Sequence, residues 1–404
     1  MSFDRRKFLQ YSAGGLLAAS LAGAPGLSFA SAPTQKRLIV IILRGGMDGL
    51  AAVPAMGDKN YKTARGDIAL NDALPLDGFF AMHPALEPLH NMYQAKEMSI
   101  FHSIASPYRK RSHFDAQNLL ENGTSAPNGA RDGWLNRTLS LMPARENSAG
   151  LAIGQNIPFI LYGKQPVASW APSRKGLPDD AFLEQVSQLY DTDPMFHMAF
   201  TQGVAIHDIA DTAMEGMKKQ KGQKNNQISV FADAASRLLK EDKGARIATI
   251  EIGGWDTHAK QGTEKGSLSN NLKNLAQGIA EFKKYLSPIW KDTVIMVVTE
   301  FGRTVSINGT GGTDHGTAST AFLIGGAVKG GKIHADWNGL GKNQLYQNRD
   351  LMPTRDLRGL FKGVLHDHLG LSSHHLDNTI FPGSRQARKF EKLIHPYISQ
   401  QTCI

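Results

Sequence analysis

The stretch "GGWDTHAKQ", residues 253 to 261, places Asp256 two residues before His258 in a glycine-marked turn directly after the apolar run "RIATIEI". A carboxylate and an imidazole so close together supply the oxygen and nitrogen donors that zinc or manganese accepts, and they also form an acid/base pair. Three further clusters occupy comparable places. "RGGMDGL" follows "RLIVIIL" and carries Asp48, and "ASPYRKRSHFDAQNLLENG" follows "MSIFHSI" and carries Ser112, His113 and Asp115. "EFGRTVSINGTGGTDHGTAS" follows "TVIMVVT" and carries Glu300, Arg303, Asp314 and His315. One carboxylate at a strand end is commonly a helix cap or a turn; four clusters from separate strands point to one shared polar site for a divalent metal, zinc or manganese, as one or two ions. The glycines of "NGTGGTDHG" also suit a plain surface loop, but the Asp-His-Gly triplet just before a buried strand would fix its imidazole in place.

Ser112 fits two roles. It stands immediately before a helical run, where a serine oxygen usually accepts a backbone N–H as an N-cap. The same place gives a nucleophile the positive end of a helix and free N–H groups for an anion. Arg109, Lys110 and Arg111 beside it suit phosphate or sulfate, or are simply solvated. His366, His368, His374 and His375 form a second histidine-rich patch, read as helix surface and loop because no strand-end carboxylate cluster accompanies them.

The elements that must position these residues are unalternated runs rich in Val and Ile, the pattern of strands buried on both faces: 37 to 43, 98 to 104, 246 to 252, 293 to 299 and 320 to 326. Helical patterns at 83 to 96 and 267 to 286 lie between them. That alternation predicts an α/β fold with a mainly parallel central sheet flanked by helices on both faces, whose ligands sit beyond the carboxyl ends of the strands. A helical insertion is expected at about 180 to 241, a small hairpin turned on Gly330-Gly331, and a last amphipathic helix within 354 to 371 stopped at Gly370. No internal repeat is detectable.

Residues 1 to 32 join a basic head, Arg5-Arg6-Lys7, to a modestly apolar stretch and small residues, which is an export signal cleaved near Ala30 or Ala32. The order Arg5-Arg6-Lys7-Phe8-Leu9 resembles the twin-arginine signal, which implies the twin-arginine translocase as a partner during export and a periplasmic mature protein of residues 33 to 404. Nothing later is apolar enough to span a bilayer. The only cysteine, Cys403, excludes an internal disulfide, so a large core must stabilise the roughly 370 remaining residues. Loss of three basic and one acidic side chain lowers the formal charge from +9 to +7. The densest basic run, "MKKQKGQKNNQ", is interleaved with amides, so nucleic acid is not expected as a partner.

Taken in order, "LRGGMDGL", "RSHFDAQNLLENG", "GGWDTHAKQ", "TEFGRT", "GTDHG" and "VLHDHLGL…TIFPG" resemble the DUF1501 family of exported bacterial proteins, within the alkaline phosphatase superfamily. The resemblance runs from about Lys36 to Pro382. It implies a two-metal site that hydrolyses phosphate or sulfate esters, or moves a phosphoryl group. By the same resemblance Asp48 would bridge the metals and Ser112 would be the nucleophile. Asp256, His258 and His315 would hold one ion and Glu300 the other. Glu300-Phe301-Gly302 stands where the superfamily commonly has Asp-His-Gly, which removes an imidazole ligand. In Ala105-Ser106-Pro107-Tyr108-Arg109, alanine occupies the formylglycine position of the sulfatase signature, which disfavours that chemistry.

The expected function is therefore an exported metal-dependent hydrolase acting on an anionic small-molecule or polymer ester. Ser112 or water would attack, Arg109 or Arg303 would hold the anion, and Gln261 would support the ligands. The competing expectation is a degenerate member that binds a ligand, metal or partner without turnover; an assembly factor is a third.

Overall fold

The structure is a computed structural model, and it describes residues 35–142, 150–154, 156–171, 180–190, 227–240 and 244–396. The export signal, the basic run from 217 to 226, most of the expected insertion and Cys403 lie outside the described residues.

Among the described residues eleven strands occur in chain order: β1 Arg37–Leu43, β2 Leu74–Pro75, β3 Ala81–Met82, β4 Met98–Ala105, β5 Gly150–Ile153, β6 Val167–Trp170, β7 Ile247–Ile252, β8 Thr293–Thr299, β9 Ser319–Ile324, β10 Lys332–His334 and β11 Arg355–Asp356. β2 and β3 form a separate two-stranded ladder; the rest make one sheet in the order β10-β4-β9-β8-β1-β7-β5-β6, with β11 also on β4. β1 pairs in parallel with both β7 and β8, as expected for a doubly covered sheet.

The exception is β9, which is antiparallel to β4 and β8. The physical reason is its connection. A parallel neighbour needs a crossover, usually a helix, that carries the chain back to the opposite edge. The chain from Glu300 to Ala318 contains no helix, so it turns at the carboxyl rim and re-enters the sheet from there. The Gly330-Gly331 hairpin is also absent. β10 joins β4 in parallel, on the edge opposite β9, and Gly331 donates its N–H to the Met98 carbonyl at 2.7 Å.

Both faces of the sheet are covered. From β1, Ile39, Ile41 and Leu43 pack into one core and Leu38, Val40 and Ile42 into the other, all inaccessible to solvent. Each such aliphatic side chain contributes about 1.5–3 kcal/mol of hydrophobic stabilisation. The first core is closed by helix Ser267–Tyr285, whose buried Leu268, Leu272, Leu275, Ile279 and Phe282 follow the helical repeat. Helix Gln227–Lys240 packs beside it and adds Ile228, Phe231 and Leu239, so this end of the expected insertion is built into the layer rather than placed over the site.

On the other face, helix Leu357–Leu369 starts at Asp356, which accepts the Arg358 N–H at 2.9 Å, and stops at Gly370 in the left-handed conformation. His368 of this helix is buried, contrary to the surface reading. Its Nε2 donates to the Arg37 carbonyl at 2.9 Å, an inward position that the repeat of a helix with one covered face assigns it.

Candidate metal centre

The ends of β1, β4, β7 and β8 lie on one rim, and the clusters that follow β4, β7 and β8 converge there. His113 opens helix His113–Asn122 after β4, Asp256 and His258 follow β7, and His315 ends the loop between β8 and β9. His315 Nε2 lies 3.0 Å from the Nε2 atoms of both His113 and His258. Asp256 reaches all three rings, with Oδ1 3.0 Å from His258 Nε2 and 3.3 Å from His315 Nε2, and Oδ2 3.5 Å from His113 Nε2. Donor atoms of His113, Asp256 and His315 lie mutually within 4.8 Å.

The other nitrogen of each ring fixes its tautomer. His315 Nδ1 lies 2.9 Å from the Arg111 carbonyl, which can only accept, so Nδ1 carries the proton. His113 Nδ1 is 2.8 Å from Glu300 Oε1, and His258 Nδ1 is 3.3 Å from Asp314 Oδ1. In neutral rings all three Nε2 lone pairs therefore point toward one another and toward a carboxylate. One proton can bridge only one of the two nitrogen pairs. A cation satisfies the whole set, and imidazoles backed by carboxylates or carbonyls are the usual surroundings of a ligated metal.

Exposure separates the donors from their supports. Side-chain exposure is 42% for Asp256, 46% for His258, 23% for His113 and 26% for His315, against 0% for Glu300. Burial alone would raise the Glu300 pKa, yet hydrogen bonds from His113, Gln117 and the Gly45 N–H outweigh it and keep the carboxyl ionised below its usual range. The same bond to Glu300 raises the pKa of His113. Burial likewise works to raise the Asp256 pKa, but Arg303, 2.5 Å from Oδ1, outweighs it and holds it low. Gly45 lets the chain after β1 come this close. Its φ is +121° and a Cβ there would lie 2.5 Å from the Asp256 nitrogen.

Of the residues picked from sequence, Asp256, His258 and His315 meet in this cluster, and Glu300 and Asp314 stand directly behind it. Three have other tasks. Asp48 is buried, its Oδ2 accepts from Arg65 at 2.6 Å and Gln261 at 2.7 Å, and none of its hydrogen bonds or ion pairs reaches the cluster. Gln261 accepts in turn from Thr257 and Thr313, so it ties the two ligand-bearing loops to Asp48, the supporting place expected of it. Arg303 is wholly buried, and its guanidinium bonds to Asp256, the Gly45 carbonyl and Thr313, which leaves it to orient Asp256 rather than to hold an anion.

Arg109 bonds only to backbone carbonyls, those of Ser106 and Tyr108. Ser112 has the backbone of an N-cap but makes no side-chain cap bond. The Tyr108 hydroxyl, four positions earlier, donates to Asp115 at 2.8 Å. His113 is the residue that sequence reasoning noticed and left without a role. Its signal was an imidazole in the first turn of a helix after a strand, one position beyond the serine that drew attention. Phe301 packs its ring against His113 and His315, with centroids 4.7 and 5.1 Å apart.

Fold and site together define an α/β protein with an imidazole and carboxylate centre on the carboxyl rim of its sheet. Residues 93–380 match the family described as "Protein of unknown function (DUF1501)", and the chain belongs to that family. No curated protein matches the sequence. Among solved structures it is similar to the zinc complex of the C-terminal periplasmic domain of EcEptC from Escherichia coli, with 10% identity over 90% of this chain and 91% of that one, and a TM-score of 0.42. It is also similar to the lipoteichoic acid synthase LtaP from Listeria monocytogenes, with 11% identity over 90% and 81% and a TM-score of 0.37. Murine ectonucleotide pyrophosphatase / phosphodiesterase 5 aligns at 9% identity over 67% and 57%, with a TM-score of 0.30.

Proposed function

We propose that the protein is a metal-dependent hydrolase of phosphate or related anionic esters, with one divalent ion, zinc or manganese, held by His113, Asp256, His258 and His315. The observation that carries this reading is the convergence of three Nε2 lone pairs, each fixed by an acceptor on its own Nδ1, around the Asp256 carboxylate. A bound ion would supply the positive charge that offsets the negative charge developing on the ester oxygens. The partial exposure of all four donors supports access for a substrate, and burial of Glu300 and Arg303 supports a rigid backing.

One ion rather than two is favoured by the fate of the remaining carboxylates. Asp48 is paired with Arg65, Glu300 already accepts from three donors at Oε1 and from Thr299 at Oε2, and Phe301 lies against two of the imidazoles.

Ser112 or a water attacks. Ser112 is the N-cap of the helix that His113 opens, which places it next to a residue that would hold the ion. The free N–H groups of the first helical turn then face the anion. Phe301 also favours a second reading, a member that holds metal and ligand without turnover. Export by the twin-arginine translocase to the periplasm is part of the proposal and rests on residues 1 to 32. No helix among the described residues is long and apolar enough to cross a membrane.

The test is elemental mass spectrometry of the mature protein beside Asp256→Ala, followed by an ester panel on the metal-loaded protein. One equivalent lost in the variant, together with turnover, supports the hydrolase. Metal without turnover on any phosphate or sulfate ester leaves the binding protein, and no metal under loading conditions removes the hydrolase and leaves a member that binds a ligand or partner. Full activity in Ser112→Ala would assign the attack to water.

A further inference from the structure

A groove of about 820 Å³ opens near the carboxyl end of β4, lined by four arginines, Arg109, Arg355, Arg358 and Arg385, and by two carboxylates, Asp356 and Asp377. It shares the rim. β11, which carries Arg355 and Asp356, pairs with the carboxyl end of β4, and the loop that leaves β4 gives its Arg111 carbonyl to His315 and its Arg109 side chain to the groove.

Both carboxylates already have cations. Asp356 holds Arg358 at 2.7 Å and Asp377 holds Lys362 at 2.6 Å. Among the described residues two guanidinium groups have no carboxylate paired with them: Arg109 bonds to the Ser106 and Tyr108 carbonyls and Arg385 to the Asn378 side chain at 3.1 Å. Arg355 is paired with Asp336 at 3.4 Å, a carboxylate that is mostly exposed. These groups are also held in place. Arg355 lies 4.2 Å over the Phe390 ring, and Pro107, Pro353 and Pro382 stiffen the three segments that form the walls. Arg109 and Arg355 are partly buried and Arg385 is exposed, and guanidinium forks with spare donors are suited to phosphate and sulfate oxygens.

We propose that this groove binds a second anionic group of the substrate, a phosphate or sulfate carried at a distance from the ester that reacts, so that the substrate is a molecule bearing several anions. The substrate assignment rests on the hydrolase reading above; the anion site does not.

The experiment is calorimetric titration of the metal-stripped full chain with sucrose octasulfate at roughly physiological salt, where diffuse surface attraction is screened beyond about 8 Å. Saturable binding is expected, weakened about tenfold by Arg385→Ala, since a charge-assisted hydrogen bond is lost. Arg355→Lys, which keeps the charge but loses the fork and the stacking, should weaken it also. Lys273→Ala removes the same charge from a distant exposed helix position and should leave binding unchanged. Absence of binding, equal weakening by Lys273→Ala, no effect of Arg385→Ala, or equally good competition by inorganic sulfate would each overturn the proposal. Asp256→Ala separates the two readings. Octasulfate binding retained in that variant supports the groove whatever becomes of turnover, whereas turnover undiminished in it removes the metal centre from the reaction.

Discussion

Glu300→Gln asks whether Glu300 acts through His113 or is itself a ligand. Its Oε1 accepts from His113 Nδ1 at 2.8 Å, Gln117 Nε2 at 3.0 Å and the Gly45 N–H at 2.8 Å, and its side chain is wholly buried. Glutamine is nearly isosteric and keeps one acceptor oxygen, so the ring stays oriented but loses the charge behind it. A hydrogen bond to a charged group contributes about 1.5–3 kcal/mol and a neutral one about 0.5–1.5, so the deficit passed to His113 as a ligand is about 1–2 kcal/mol. That corresponds to roughly 5- to 30-fold in metal affinity, overlapping the roughly 10- to 100-fold found when groups behind metal ligands are changed. The assay is zinc competition against a chromophoric chelator, with stoichiometry from elemental analysis. The expected outcome is one equivalent in both proteins and weaker binding in the variant. Asp314→Asn should have a smaller effect, because Asp314 stands 3.3 Å from His258 and is half exposed. A fall from two equivalents to one in Glu300→Gln would show that Glu300 ligates a second ion. Unchanged affinity would refute the positioning role.

Gly45→Ala should cost about 1–3 kcal/mol in backbone strain and lower metal affinity more than tenfold, because the new Cβ meets the Asp256 backbone; urea unfolding and the chelator assay read the two effects separately. Asp48→Asn should leave the metal stoichiometry unchanged while destabilising the fold by about 3–5 kcal/mol, since Arg65 becomes an unpaired buried charge; loss of an equivalent would restore Asp48 as a ligand. Burial lowers both His102 and His368 to about 4, against about 6.5 in an unfolded chain. The unfolded state therefore binds these protons first. The stability they contribute is complete above pH 6.5 and is lost as pH falls toward 4, by about 2 kcal/mol per histidine between pH 7 and pH 5. His334 is lowered to about 4 as well and adds to the loss, so denaturation at the two pH values should show it and His368→Gln should remove about a third.

Much of this arrangement was legible in the sequence. Five unalternated apolar runs correspond to β1, β4, β7, β8 and β9, and the residues that meet in the cluster follow β4, β7 and β8. Asp256, His258 and His315 could be picked because an acid or imidazole directly after a buried strand, braced by glycine, has few structural uses. β5 and β6 escaped notice, being four-residue strands toward the far edge, too short to give a run.

Tertiary structure decided the rest, because the deciding contacts join residues far apart in the chain. Local pattern could not say that His113 would join the cluster, and its place there depends on Glu300, 187 positions away. Nor could it foresee that Arg65 would occupy Asp48, or that Arg303 would turn inward to Asp256. The direction of β9 was equally hidden, since an apolar run reads the same in either orientation and only the path of the connection fixes it. Residue type and periodicity determined which side chains are buried and where strands end. Which polar atoms meet at that rim, and which merely support them, was settled by pairing across the assembled fold.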